Sequence, residues 1–144
     1  MFKNTLILCT GNICRSPVAE AFLKRISGES TKVLSAGVNT KDCALADDTC
    51  IELLKQKGID ITGHRSQKLS SELLVSADLV LVMEKKHIEE VSRVYPEARG
   101  KLKLLGHWQR NKEVLDPYKK SREVYMYAVD LIEELTNDWK PYLQ

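Results

Sequence analysis

Apolar and polar positions alternate along the chain in blocks that predict strands, each followed by a helix. Residues 5–9 (TLILC) form a nearly continuous apolar run, as expected of a strand covered on both faces. Similar runs at residues 32–35, 78–83 and 101–105 predict three further strands. This alternation predicts an α/β fold with a parallel sheet and helices on both faces, whose ligands bind at the carboxyl ends of the strands.

Apolar residues at helical spacing predict the helices between these strands. The first is expected from Pro17, with Ser16 as its N-terminal cap and Gly28 as its C-terminal cap. Two more are expected over residues 46–57, ended by Gly58, and over residues 85–95. Ser121 is expected to cap a long final helix. The apolar stripe of that helix comprises Val124, Ala128, Leu131, Leu135 and Trp139.

Composition narrows the class of protein. The 144 residues are 43% hydrophobic and 29% charged, with a net charge of +2 spread along the chain. This is typical of a single globular domain over residues 1–144, and it lacks the basic stripe of a nucleic-acid-binding surface. No apolar run reaches the ~18 residues of a membrane span, and the first is too short for a signal peptide. We therefore expect a cytoplasmic monomer whose four cysteines are reduced.

Candidate chemistry lies in the loop after the first strand. Residues 9–16 (CTGNICRS), called the 9–16 loop below, place five residues between Cys9 and Arg15. Gly11 and Asn12 are expected in left-handed conformations that turn backbone N–H groups inward as an anion-binding nest. The N-terminus of the next helix and Arg15, which can hold two phosphate oxygens at once, favour the same anion. The same field favours a thiolate at Cys9, so the loop predicts a device for phosphoryl transfer.

A thiolate that attacks phosphorus also needs an acid for the departing oxygen. Asp116 is the best candidate, because its loop follows the fourth strand and should meet the 9–16 loop at one edge of the sheet. Pro117 restricts Asp116 to an extended conformation, which favours a fixed position.

Residues 9–17 and Asp116-Pro117-Tyr118 closely resemble the low-molecular-weight protein tyrosine phosphatases, and the resemblance covers essentially the whole chain. It implies a flavodoxin-like four-stranded parallel sheet, no metal and no cofactor. It also implies hydrolysis of phosphotyrosine through a phosphocysteine intermediate, with Cys9 as the nucleophile, Arg15 as the phosphate clamp and Asp116 as the acid and then the base.

The resemblance also assigns supporting residues. Asn12 is expected to hold the geometry of the loop, Ser16 to donate a hydrogen bond to Cys9, and Ser35 and His64 to contact the loop from behind. Cys14 is expected to capture an oxidised Cys9 as a disulfide, or else only to fill space. The implied substrate-binding positions are Thr10, Gly11, Asn12, Ile13, Cys14, Ser16 and Tyr118.

Residues 83–88, 106–108 and 116–123 resemble the bacterial branch of the family, which is paired with autophosphorylating tyrosine kinases of polysaccharide export. Such a kinase is therefore the expected partner. Residues 38–42 lack the aromatic of the eukaryotic branch and the aliphatic residue of bacterial relatives, and Lys41 there would favour acidic peptides. Tyr118, Tyr125 and Tyr127 cluster near the acid, and the last two cannot share a helix face.

Four alternatives remain open from the sequence. An arsenate reductase would need two further cysteines after the third strand, and residues 84–115 contain none. An arginine phosphatase would carry Thr at Ile13. A metal or iron–sulfur module is disfavoured because the chain has no Cys-x2-Cys pair. A module that only binds phosphate would need neither Cys9 nor Asp116.

Overall fold

The computed structural model describes residues 1–143 and contains one parallel sheet of four strands in the order β2-β1-β3-β4. The strands are β1 (Asn4–Cys9), β2 (Lys32–Gly37), β3 (Leu79–Val82) and β4 (Leu102–Leu104). The helices are α1 (Arg15–Ile26), α2 (Asp48–Gln56), α3 (Ser71–Ser76), α4 (Lys85–Val94) and α5 (Arg122–Asn137). Short 3-10 helices cover Pro96–Lys101 and Lys140–Tyr142.

Side chains of the central strand β1 point alternately to the two faces of the sheet. Ile7 and Cys9 join a core built with α1, α2 and α5, whereas Leu6 and Leu8 join a second core built with α3 and α4. The predicted four-stranded parallel sheet with helices on both faces is therefore confirmed. Its parallel strands bring the carboxyl ends of β1, β2 and β3 to one edge.

Several helix boundaries differ from the sequence prediction. Helix α1 begins at Arg15, two residues before the predicted start, and it ends at Ile26 with Ser27 as the cap residue, before Gly28. Helix α2 begins at Asp48, with the Asp47 carboxylate accepting from backbone N–H groups of its first turn. The predicted stop at Gly58 is confirmed, since that glycine has φ +79°.

The buried face of the final helix matches the predicted stripe at Ala128, Leu135 and Trp139, and differs from it at the first turn. Ser121 caps α5 as predicted, through a hydrogen bond from the Val124 N–H to its side chain. Val124 itself is 40% exposed, however, and Tyr125 is buried instead. The Tyr125 hydroxyl donates to Asp47 Oδ2 at 2.9 Å. This hydrogen bond to the residue before α2 favours the rotation of α5 about its axis that buries Tyr125. Tyr127 is exposed, so the predicted opposition of Tyr125 and Tyr127 is confirmed.

Candidate active site

The 9–16 loop leaves β1 at Cys9 and enters α1 at Arg15. Asn12 has φ +55°, the left-handed conformation predicted for it, and its backbone N–H points back to Cys9 Sγ at 3.3 Å. Gly11 does not have a positive φ, so that part of the prediction is wrong. One left-handed residue is enough to turn the loop inward.

The Cys9 side chain lies at the base of this loop, and the residue is 3% exposed. The Cys9 sulfur accepts hydrogen bonds from the backbone N–H groups of Asn12 at 3.3 Å and Ser16 at 3.4 Å, and it lies 2.9 Å from Ser16 Oγ. Ser16 lies inside α1 and does not cap it, contrary to the prediction. Its hydroxyl is engaged by the sulfur instead, which is why it is not free to cap.

The Asn12 side chain fixes the direction of the hydrogen bond between Ser16 and Cys9. Asn12 Nδ2 donates to Ser16 Oγ at 2.8 Å and to Ser35 Oγ at 3.0 Å, and Asn12 Oδ1 accepts from the Gln67 N–H at 2.9 Å. Because Ser16 Oγ accepts from Asn12, its own proton is available to the sulfur. The Cys9 sulfur thus faces three donors, an arrangement that stabilises negative charge.

The network continues behind the loop. The Ser35 hydroxyl donates its proton to Glu20 Oε1, so the Ser35 oxygen accepts the hydrogen bond from Asn12. His64 Nε2 donates to the Asn12 carbonyl oxygen at 2.7 Å. Ser35 and His64 therefore both contact the loop through Asn12, as the resemblance implied. Glu20 was not singled out from the sequence, although its position one turn after Ser16 was a usable signal.

Arg15 is buried, with 1% of its surface exposed. Its NH1 donates to Glu84 Oε2 at 2.6 Å and to the Val114 carbonyl oxygen at 2.8 Å. These two acceptors hold one end of the guanidinium, and the carboxylate offsets its buried charge. The NH2 atom lies 3.8 Å from Asp116 Oδ2, so the structure brings the predicted clamp and the predicted acid together.

Asp116 and Tyr118 lie at the outer rim. The Asp116 side chain is 47% exposed, and its Oδ1 accepts the Tyr118 N–H at 3.0 Å. Tyr118 is 48% exposed, with Lys119 Nζ 5.5 Å from the centroid of its ring. A half-exposed carboxylate above the arginine is open to both a substrate oxygen and water.

Sequence reasoning assigned no role to Glu84 and His87, which follow β3 at the same edge of the sheet. His87 is fully buried, accepts the Glu84 N–H through Nδ1 at 3.1 Å, and lies 3.0 Å from Thr10 Oγ1 through Nε2. Burial, with the nearby Arg15 guanidinium, lowers the pKa of His87 to about 4. The ring is therefore neutral at pH 7, and because Nδ1 accepts, Nε2 carries the proton and donates to Thr10.

Residues 38–42 close the loop from the β2 side. Backbone N–H groups of Val38 and Asn39 donate to the carbonyl oxygens of Cys9 and Thr10 at 2.9 and 3.0 Å. Thr40 Oγ1 donates to the Gly11 carbonyl oxygen at 2.6 Å. These bonds point the loop's carbonyl groups outward, which leaves its N–H groups for an anion.

Cys14 does not contact Cys9 through a hydrogen bond. Its sulfur lies 2.9 Å from that of Cys50 on α2, and both residues are buried. The predicted disulfide between Cys9 and Cys14 stays a prediction. Within residues 1–143, no group of three histidine, cysteine or acidic side chains is arranged to hold a metal ion.

Comparison with known proteins identifies this arrangement. Residues 4–144 match the sequence model of the family described as low molecular weight phosphotyrosine protein phosphatase. The chain is 42% identical over 139 residues to the low molecular weight protein-tyrosine-phosphatase Wzb of Escherichia coli (strain K12), covering 96% of this chain and 94% of the relative.

Two solved structures share the fold over nearly the full length. Vibrio vulnificus Wzb in complex with benzylphosphonate has a TM-score of 0.94 and 39% identity, covering 99% of this chain and 100% of that one. The YwlE arginine phosphatase from Geobacillus stearothermophilus has a TM-score of 0.91 and 33% identity, covering 97% of this chain and 92% of that one. With a cysteine and an arginine at the two ends of the loop, and with matches over essentially all of its length, the chain belongs to the low-molecular-weight protein-tyrosine-phosphatases.

Proposed function

We propose that the chain hydrolyses phosphotyrosine in proteins through a phosphocysteine intermediate on Cys9. The observation that carries the proposal is the buried Cys9 sulfur, which faces three hydrogen-bond donors next to the buried Arg15. Donors that stabilise a thiolate also make it available as a nucleophile at neutral pH.

In the first step the Cys9 thiolate attacks phosphorus. An S–P bond forms while the bond from phosphorus to the tyrosyl oxygen breaks, and protonated Asp116 gives its proton to that oxygen. The inward N–H groups of the loop and the NH2 and Nε side of Arg15 hold the phosphoryl oxygens. The NH1 bonds to Glu84 and Val114 support this role, because they leave the opposite edge of the guanidinium for the substrate.

In the second step water hydrolyses the intermediate. Asp116, now a carboxylate, takes a proton from water as the water oxygen attacks phosphorus. The S–P bond breaks, inorganic phosphate leaves and the Cys9 thiolate returns. The exposure of Asp116 supports this dual use, since the same carboxylate must meet first the leaving oxygen and then water.

The substrate we propose is an aryl phosphate. Ile13 is a branched apolar residue in the loop and Tyr118 is an exposed aromatic at the rim, and together they suit the ring of phosphotyrosine. The relative from Vibrio vulnificus is described with benzylphosphonate, an aryl phosphate analogue. The likeness to an arginine phosphatase makes phosphoarginine the competing substrate to test.

We further propose that the physiological substrate is an autophosphorylating tyrosine kinase of polysaccharide export, met in the cytoplasm. The support is the resemblance of residues 83–88, 106–108 and 116–123 to the bacterial branch. Within residues 1–143, no helix is both long enough and apolar enough to span a membrane.

The test measures hydrolysis of an aryl phosphate, a phosphotyrosine peptide, a phosphoarginine peptide and an autophosphorylated kinase domain as a function of pH. We expect a bell-shaped pH profile of the hydrolysis rate for the wild type and no turnover in Cys9→Ser. In Asp116→Ala the rate should fall by about 100- to 10,000-fold, and the limb of the pH profile that reports the acid should disappear. The phosphotyrosine substrates should be preferred to phosphoarginine.

The matched control is Cys43→Ser, because Cys43 is exposed and lies outside the 9–16 loop. It should retain wild-type kinetics. Full activity in Cys9→Ser would refute the phosphocysteine step, and a higher kcat/KM for phosphoarginine would replace the proposed substrate. If the protein hydrolyses the phosphotyrosine peptide but not the phosphorylated kinase domain, only the proposed partner is refuted.

A further inference from the structure

The first turn of α4 lies between several parts of the active site. It follows β3 at the edge of the sheet where the 9–16 loop begins, because β3 pairs with β1. Glu84 is the cap residue of this helix, and His87 is its third residue. The His87 ring accepts the Glu84 N–H through Nδ1 at 3.1 Å, as the third residue of a helix does in a capping box. This hydrogen bond holds the ring in one orientation toward the loop.

The other nitrogen of the His87 ring binds the beginning of the loop. His87 Nε2 donates to Thr10 Oγ1 at 3.0 Å, and Thr10 directly follows the proposed nucleophile Cys9. The same turn also binds the other end of the loop, since Glu84 Oε2 accepts a hydrogen bond from Arg15 NH1 at 2.6 Å. A chain of three hydrogen bonds therefore joins Thr10 to Arg15 through the first turn of α4.

The start of α4 also binds the segment that leads to the proposed acid. The Val114 N–H donates to the Met83 carbonyl oxygen at 3.0 Å, and the Lys85 N–H donates to the Glu113 carboxylate at 2.7 Å. Asp116 follows Val114 after one intervening residue. The proposed nucleophile, arginine and acid thus lie on segments that are all hydrogen-bonded to the same short stretch of chain.

The hydrogen bond between His87 and Thr10 cannot be broken without cost. His87 is fully buried, so no water replaces a partner that its ring loses. Without the Thr10 hydroxyl, the Nε2–H group would be buried with no acceptor, which is unfavourable. A shift of the ring or of the loop would relieve that cost. Such a shift changes the position of the loop relative to Arg15, and a displacement of about 1 Å can slow a reaction by about a hundredfold.

We propose that His87 is a positioning residue for the phosphoryl-transfer site. Through its bonds to Thr10 and Glu84, it sets the distance between the start of the loop and the Arg15 guanidinium. The inference rests on the proposed function, because the groups that it positions are those that would hold the phosphoryl oxygens. His87 is fully buried and does not itself touch the substrate. Its contribution is to the transition state, whose charge the loop N–H groups and Arg15 stabilise together.

Removal of one hydroxyl group tests the inference. Thr10→Val deletes the acceptor of His87 but keeps the shape of the side chain and the backbone N–H of the loop. Its kcat/KM for an aryl phosphate should fall by about 10- to 100-fold. Thr10→Ser, which keeps the hydroxyl, should recover most of this loss. The matched control is Thr5→Val in β1, because Thr5 is buried and, within residues 1–143, its hydroxyl has no hydrogen-bond partner. It should keep the wild-type kcat/KM.

A double variant tests whether the effect passes through the contact with His87. In His87→Asn the shorter side chain keeps an oxygen near the Glu84 N–H and no longer reaches Thr10. If the two residues act as one unit, the double variant Thr10→Val with His87→Asn should be no slower than the slower of the two single variants. Losses of kcat/KM that multiply in the double variant would overturn the inference.

Orthovanadate separates positioning from a merely structural role, because it adopts the five-coordinate geometry of phosphorus in transfer. Its Kd, measured by titration calorimetry on the folded protein, should rise in Thr10→Val by about the factor by which kcat/KM falls. A structural role would lower only the unfolding free energy, so equal kcat/KM and vanadate Kd in Thr10→Val and Thr5→Val would overturn the inference alone. A wild type that neither hydrolyses aryl phosphate nor binds vanadate would refute the proposed function, and this inference with it.

Discussion

At the scale of single residues, the fully buried His87 reports on the electrostatics of the site. Its ring connects Glu84, the second residue after β3, to the 9–16 loop, through hydrogen bonds with the Glu84 N–H and with Thr10. The charges that face it are those of Arg15, Glu84, Lys86 and Asp116. Since burial outweighs the attraction of the two carboxylates, the ring is held neutral in the folded protein.

This neutral histidine predicts a loss of stability in mild acid. The pKa of His87 is about 4 when folded, against about 6.5 when unfolded, so the unfolded chain binds more protons below pH 6.5. The unfolding free energy should therefore fall by about 2 kcal/mol between pH 7 and pH 5, and the loss should end near pH 4. Denaturant unfolding at a series of pH values measures it.

A second histidine supplies the control for this prediction. His107→Gln should keep the acid sensitivity, whereas His87→Gln should reduce it, because an amide does not titrate. Hydrogen bonds from Thr62 and Lys57 lower the pKa values of Asp60 and Glu133, so these groups act mainly below pH 5. An unchanged slope between pH 7 and pH 5 in His87→Gln would contradict the assignment.

At the scale of elements, the close approach of β2 to the 9–16 loop depends on Gly37. A Cβ atom at this position would lie 2.9 Å from the Thr10 carbonyl oxygen and 2.6 Å from Thr40 Cγ2. Thr40 itself donates to the Gly11 carbonyl oxygen, so neither neighbour can move without shifting the loop. The end of β2 thus determines the position of the residues that would hold phosphate.

Gly37→Ala is accordingly expected to reduce both stability and activity. Overpacking should cost about 1–3 kcal/mol of unfolding free energy. A displaced loop should lower kcat/KM by up to about a hundredfold. Gly63→Ala is the matched control, because a Cβ atom there meets no atom within 4 Å, and it should behave as the wild type. Equal behaviour of the two variants in unfolding and kinetic assays would show that the approach of β2 is not limiting.

Sequence patterns predicted the strands well because each buried strand is a local run of apolar residues. Strand β3 is apolar at all four positions, and β1 is apolar from Leu6 onward. Helix α3 was not predicted, since six residues are too few for helical periodicity to appear. The buried face of α5 was assigned to Val124 in place of Tyr125, because the bond between Tyr125 and Asp47 joins residues far apart in sequence.

The same limit applies to the candidate site. Cys9, Arg15 and Asp116 could be named from the sequence, because one motif and one family resemblance contain them. Glu84 and His87 could not be assigned roles, since only the pairing of β3 with β1 brings them beside the loop. Ser16 was predicted as a cap because its local pattern fits one. Its contact with Cys9 was expected from the family resemblance alone, and its bond from Asn12 was not predicted.

At the scale of the whole molecule, a crosslink introduced between Cys14 and Cys50 would close a large ring of chain. Cys14 and Cys50 are 36 positions apart, and the ring would enclose α1, β2 and the start of α2. These elements contribute to the core on the α5 side of the sheet. A crosslink here therefore restricts a substantial part of the unfolded chain without adding contacts to the folded one.

A protein that carries this crosslink should for this reason melt at a higher temperature than the reduced one. Closing a ring of this size stabilises by about 4 kcal/mol in the chain-entropy description. For a chain of this length that corresponds to a rise in Tm of about 10–15 °C. Thermal unfolding of the crosslinked protein, before and after reduction, measures the difference, and Cys50→Ala carried through the same crosslinking should show no rise. If peptide mapping finds the link between Cys14 and Cys50 but the Tm is unchanged or lower, the disulfide forms at the expense of the packing between the loop and α2.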